Sequence, residues 1–98
     1  MTYRLIIRPE AETELAEAFD WYEHRVPGLG ADFLRAVDKA VDSILSHPLR
    51  HPTVHKSVRR ALVRRFPYQL LFLVEDDAIT MIAVFHGTRD PKRWQDRF

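Results

Sequence analysis

The feature that most constrains this chain is a crowded set of apolar segments in residues 58–86, VRRALVRRFPYQLLFLVEDDAITMIAVFH. Three segments, Val58 to Phe66, Tyr68 to Glu75 and Ala78 to His86, are rich in Val, Ile, Leu and Phe, and each is too short for a stable helix. Pro67 cannot donate to a ladder and so belongs to the first connection. Glu75-Asp76-Asp77 is a charged break of hairpin length. Strands joined this closely form an antiparallel meander. Arg59, Arg60, Arg64 and Arg65 lie on or beside its first strand, and the tail HGTRDPKRW adds a histidine and more cations. One face of such a sheet needs cover from elsewhere in the chain.

That cover lies upstream. Tyr3 to Ile7 alternates loosely and reads as a short strand ending before Pro9, a residue suited to the first turn of a helix. Glu10, Glu12 and Glu14 place negative charge near the positive end of that helix. Ala11, Leu15, Ala18, Phe19, Tyr22 and Val26 recur at helical spacing and predict an amphipathic helix from Pro9 to Arg25. The carboxylates from Glu10 to Glu23 read as its solvated face. Pro27-Gly28-Leu29-Gly30 breaks it. Leu29, Phe33, Val37, Ala40, Val41, Ile44 and Leu45 then mark a second helix, stopped at Ser46-His47-Pro48. So short a link makes the two helices an antiparallel hairpin. His47 to Lys56 reads as a loop. The expected fold class is α+β: an N-terminal strand, then an antiparallel helical hairpin packed on an antiparallel sheet that ends in a three-stranded meander. The place of the first strand in the sheet stays open. Leu15, Phe19, Phe33, Val37, Val41, Ile44, Leu70, Phe72, Met81, Ala83 and Phe85 are the expected core.

At 98 residues the chain is expected to form one domain, residues 1–98, and 46% apolar with 30% charged residues is a globular composition. The absence of cysteine excludes disulfides and thiolate chemistry. No apolar run approaches the roughly 20 residues that span a bilayer, and the N-terminus lacks the pattern of a signal peptide. A soluble cytoplasmic protein with no membrane partner is expected. The net charge of +1 conceals a split. Up to Leu45 five Lys/Arg face nine Asp/Glu, a balance of −4; from Ser46 onward ten face five, a balance of +5. A basic sheet suits an acidic partner, either nucleic acid or an acidic protein segment.

His47, His51 and His55 are spaced by four, but Pro48 and Pro52 prevent one helix from presenting them together, so no metal site and no cofactor are expected. Tyr22 lies on an apolar stripe and reads as core. Trp94 reads as a cap on the core that could also stack on a partner. No nucleophile elbow, phosphate loop or dinucleotide fingerprint is present. The plausible reactive set is Arg59, Arg60, Arg64, Arg65, Tyr68, His86 and Arg89. Arginines could hold a phosphate while His86 exchanges a proton. Equally, alternate strand arginines can be an exposed face, with His86 hydrogen-bonded at a strand end. Spacing leaves both open.

The segments RRFPY, AVFHGTRDP and FLRAVDKAVDSILSHP, with a strand, acidic turn and strand between the first two, resemble the RelE/ParE superfamily of toxins. The resemblance covers essentially the whole chain and is greatest to ParE-like members of the plasmid-stabilisation type. It implies a cytoplasmic, growth-inhibiting toxin of a type II toxin–antitoxin system, neutralised by a cognate antitoxin protein. It implies one of two targets. ParE-like members inhibit DNA gyrase by binding, and RelE-like members cleave mRNA on the ribosome. In a nuclease of this kind Arg60, Arg64, Arg65 and His86 would be catalytic. Contacts to target or antitoxin would come from Arg59, Arg64, Arg65, Tyr68, Arg89 and Trp94. RelE-like nucleases commonly begin the strand after RRFP with Arg-x-x-Tyr. Here Gln69 and Phe72 stand at those positions, and Gln69 cannot supply a permanent charge. The expectation therefore leans to gyrase, with enzymatic activity left open.

Overall fold

The two halves of the chain meet on its last strand. The computed structural model describes residues 3–97 of the chain. It contains β1 (Arg4–Ile7), α1 (Pro9–Arg25), α2 (Leu29–Ser46), a 3-10 turn at Pro48–Arg50, β2 (Thr53–His55), β3 (Val58–Leu62), β4 (Tyr68–Glu75), β5 (Ala78–His86) and α3 (Lys92–Gln95). Both long helices occupy the ranges that the apolar periodicity predicts. The strand order is β1-β5-β4-β3-β2, and β3, β4 and β5 form the expected antiparallel meander. Three details correct the sequence reading. β1 pairs with β5 in parallel, so the sheet is mixed; the helical hairpin acts as part of the crossover that a parallel pair requires. The region read as a loop holds β2, a three-residue strand with an irregular register, too short to show a period. The run from Val58 to Phe66 is a strand only as far as Leu62. Beyond it the Phe66 N–H donates to the Val63 carbonyl at 3.2 Å, and Arg65 takes the left-handed conformation at φ +74°.

A β-bulge decides which side chains share a core. Leu71 lies opposite Ala83 but Phe72 lies opposite Met81, so Ile82 is an extra residue and β5 changes faces there. Ile79 and Met81 before it, and Val84 after it, pack toward the helices with Leu70, Phe72, Phe33, Val37 and Ile44. Ile82, Ala83 and Phe85 pack on the opposite side with Val58, Leu71 and Leu73, under Trp94 of α3. Met81, Ala83 and Phe85 are all buried, as expected, yet they serve two cores. Leu15, Phe19 and Val41 are only half-buried.

The acidic face of α1 is partly structural, which corrects its reading as solvated. β1 ends at Ile7, and the last backbone bond to β5 runs from the Arg8 N–H to the Met81 carbonyl at 3.0 Å. Past that point side chains finish the edge. Glu14 Oε1 accepts the Val84 N–H at 3.0 Å, and Arg97 Nη1 donates to the Ile82 carbonyl at 2.9 Å. Arg97 also grips both oxygens of Glu14, at 3.2 and 2.8 Å. The bulge thereby keeps its polar groups satisfied, as part-buried backbone must be. Glu23 does similar work for α2, accepting the N–H groups of Gly28 and Gly30, each at 2.9 Å. Gly30 has no room for a side chain: a Cβ there would lie 2.8 Å from Phe19.

Candidate functional site

A cleft of about 600 Å³ opens between α1 and the adjoining ends of β4 and β5. Its helical wall carries Glu17, Trp21 and Tyr22, and its sheet wall carries Tyr68, His86 and Arg89. Tyr68 is half-buried and meets Phe33 edge-on, with ring centroids 5.2 Å apart. His86 packs edge-on against Tyr68 at the same separation, 5.2 Å. The His86 Nδ1 accepts the Thr88 backbone N–H at 3.1 Å and lies 2.8 Å from the Thr88 hydroxyl. A nitrogen that accepts an N–H must carry a lone pair, so the neutral imidazole holds its proton on Nε2.

Burial raises the pKa of both Tyr22 and Tyr68 above the ordinary value of 10.0. At Tyr68 the Arg89 cation opposes that shift and the carboxylates of Glu14 and Glu17 reinforce it. Tyr68 is therefore a phenol at neutral pH, able to donate a hydrogen bond but not to act as an anionic base. A raised folded-state pKa means these tyrosines contribute stability that is fully present below pH 10.0 and is lost as the pH rises through their folded values. Titration of the phenolate absorbance should therefore show a component that ionises only above pH 10.0, and Tyr68→Phe should remove part of it. A Tyr68→Phe difference spectrum already complete below pH 10.0 would contradict the buried placement.

A second groove, of about 570 Å³, lies across the β3–β4 turn and shares Pro67 and Tyr68 with the first. Leu62, Val63 and Phe66 line it, with Arg64 and Arg65 beside them. The predicted site residues therefore divide into groups. Tyr68, His86 and Arg89 share the first cleft, and Arg64 and Arg65 border the second. Arg59 is on the helix-side face, where its Nη1 donates to the His51 carbonyl at 2.7 Å and, longer, to that of Leu49 at 3.4 Å. It ties the connection after α2 to β3. Arg60 lies on the opposite face, in register with Leu71.

Trp94 does not offer a free contact surface. Its side chain is 3% exposed, with His55 edge-on at 5.6 Å. The apolar outer face formed by Val58, Leu71, Leu73, Ile82, Ala83 and Phe85 needs this cover, so Trp94 supports the fold and is corrected as a docking residue. The three spaced histidines are not brought together as ligands: His51 reaches Ser43 Oγ at 3.2 Å and packs on Phe72, while His55 meets Trp94. No group of His, Cys, Asp or Glu among the described residues is placed to hold a metal ion. No helix among them is long and apolar enough to cross a membrane.

Sequence reasoning missed Glu14, Thr88 and Arg97. Glu14 had a signal, because it falls between Ala11 and Ala18 on the apolar stripe, where a carboxylate needs a partner. Arg97 carried none; its role depends on where the tail returns. Trp21 is 52% exposed and carries the Arg25 guanidinium 4.3 Å above its ring.

The fold is shared with solved toxin–antitoxin structures. A chain from the chromosomal ParDE TA system of P. aeruginosa superposes with a TM-score of 0.76 at 17% identity, over 87% of this chain and 96% of that one. A chain of the toxin–antitoxin complex RelBE2 from Mycobacterium tuberculosis gives 0.58 at 22% identity, over 88% and 99%. Among curated proteins no sequence matches significantly. Residues 5–91 match the family described as ParE toxin of type II toxin–antitoxin system, parDE, and the chain belongs to that family of the RelE/ParE superfamily.

Proposed function

We propose that this type II toxin, held in check by a cognate antitoxin, acts as ParE-like toxins do, by binding DNA gyrase rather than by cleaving RNA. The observation that carries this reading is the dispersal of its cations. Arg59 is engaged with backbone carbonyls, Arg60 is on the outer face, and Arg64 and Arg65 border the hairpin turn. Tyr68 and His86 face the helices instead. Gln69 stands in register between Leu62 and Phe85, an uncharged row where a phosphate-cleaving site needs fixed positive charge. A surface of this kind favours holding a partner over performing a chemical step.

The convergence of Tyr68, His86 and Arg89 in one cleft favours a second reading, ribosome-dependent cleavage of messenger RNA. One pair of assays separates the two. Purified protein should inhibit supercoiling by gyrase and leave a translated messenger intact. Removing Arg89 should lower inhibition by degrees, as loss of one contact among several does. Codon-dependent cleavage, abolished by about 10²-fold or more in His86→Gln, would replace the gyrase reading with the nuclease one.

A further inference from the structure

The two edges of the sheet differ in how they are protected against pairing with another strand. β2, at one edge, is three residues long, has an irregular register, and stands between Pro52 and Lys56. Short length, irregularity, proline and lysine are devices that keep an edge single. β1, at the other edge, has none of them within Leu5, Ile6 and Ile7. Their side chains are 36%, 42% and 39% exposed at consecutive positions, so both faces of the strand show apolar surface. The Arg4 N–H donates to the Asp77 carbonyl at 2.8 Å, and the Arg8 N–H to the Met81 carbonyl at 3.0 Å. Backbone groups alternate in direction along a strand, so the even-numbered residues turn theirs to β5. Leu5 and Ile7 therefore each turn an N–H and a C=O to the open edge.

We propose that this edge seats a second copy of the chain, with β1 pairing antiparallel to its own copy about a two-fold axis at Ile6. Leu5 then lies opposite Ile7 of the second copy. Each such pair exchanges both backbone bonds, which satisfies every outward group of Leu5 and Ile7. Ile6 meets Ile6 of the second copy at the non-hydrogen-bonded position, where side chains come closest. Leu5 and Ile7 cover each other on the other face. This self-complementarity selects the occupant, because Leu5 to Ile7 offers no polar side chain that would pick out a foreign sequence. At each end Arg4 faces Arg8 of the second copy, and the Asp77 carboxylate, 3.6 Å from Arg4, offsets those two cations. The interface is small, so association is weak and depends on concentration. It joins two five-stranded sheets into one and sets two copies of the cleft on a single body. The proposal goes beyond the choice of target and does not rest on it.

Sedimentation of the purified full chain should show a mean mass that rises from one chain towards two between micromolar and millimolar concentration. Ile6→Lys places two like charges at the axis and should weaken association at least about tenfold. Its thermal midpoint should hold, because Ile6 is already 42% exposed. Val54→Lys, on the opposite edge, and Leu62→Lys, at a position 67% exposed on β3, should associate as wild type does. A second measurement uses the absence of native cysteine. The pair at the axis has Cα atoms about 4.5 Å apart, within disulfide reach. Diamide should therefore link Ile6→Cys into a dimer and leave Leu62→Cys unlinked. A chain that stays monomeric at millimolar concentration would overturn the proposal, as would equal association by wild type and a folded Ile6→Lys. Association lost in Val54→Lys instead would place the contact on β2 and overturn it too. Equal linking of the two cysteine variants would show random collision and overturn the two-fold register.

Discussion

Phe33→Ala is expected to destabilise the protein by about 3–5 kcal/mol, the range for deleting a buried aromatic ring. Phe33 is completely buried on α2 and meets rings from three other parts of the chain. Tyr22 of α1, Phe66 of the hairpin turn and Tyr68 of β4 each lie with centroids 5.2 Å from it. The ring is thus the common neighbour of both helices and of the sheet. Its removal costs the transfer of the side chain, leaves a cavity, and loses one tilted and two edge-to-face ring contacts worth about 0.5–1.5 kcal/mol each. In a domain of this size the loss corresponds to a fall of roughly 15–30 °C in thermal midpoint. Phe33→Leu, which keeps most of the volume, should cost much less. A loss below about 1 kcal/mol for the alanine variant would mean that the ring does not fill the core.

Glu14→Ala is the second large effect, expected at about 2–3 kcal/mol. The carboxylate meets a backbone N–H at the bulge and both outer nitrogens of Arg97, and the side chains of the pair are only 15% and 20% exposed. Removing it strands a donor on β5 and an arginine at the tail. Because the penalty comes from unsatisfied partners, it should not add to that of Arg97→Ala. In a double-mutant cycle the pair should show a coupling of at least about 1 kcal/mol. Glu14→Gln keeps an acceptor for Val84 and should fall between wild type and alanine. The hydrogen bond to Glu14 raises the already high pKa of Arg97, and burial only partly offsets this. A raised folded value leaves the arginine's contribution in place below its ordinary value and removes it only above, so the arginine stays charged through the working pH range. Strict additivity in the cycle would show that the two side chains act independently.

The sequence disclosed the helices because their apolar residues repeat at one period for more than four turns between Pro9 and Arg25, and again between Leu29 and Ser46. It disclosed the meander because Pro67 and Glu75-Asp76-Asp77 punctuate it chemically. It could not disclose the bulge, since Met81, Ile82 and Ala83 read alike as apolar and only pairing with β4 shows which is extra. The parallel seat of β1 was hidden for a related reason: Leu5, Ile6 and Ile7 suit any sheet edge. Within the site, Tyr68, His86 and Arg89 were legible as chemistry-bearing residues. That Arg59 turns to the carbonyls of Leu49 and His51 depends on the path of a connection that carries no periodic signal.

The pairing of β1 with β5 also sets an order of events during synthesis. Arg4 lies opposite Ala78, and Ile7 opposite Met81, so this ladder joins segments made far apart in time. The helical hairpin is local and can form as soon as α2 has been made, whereas contacts of such long range close late. Until Ala78 to His86 emerge, β1 has no neighbour and β4 lacks one of its two. The clasp of Arg97 on Glu14 and Ile82 comes later still. The cleft and the continuous sheet therefore arise together, and only once β5 has been made.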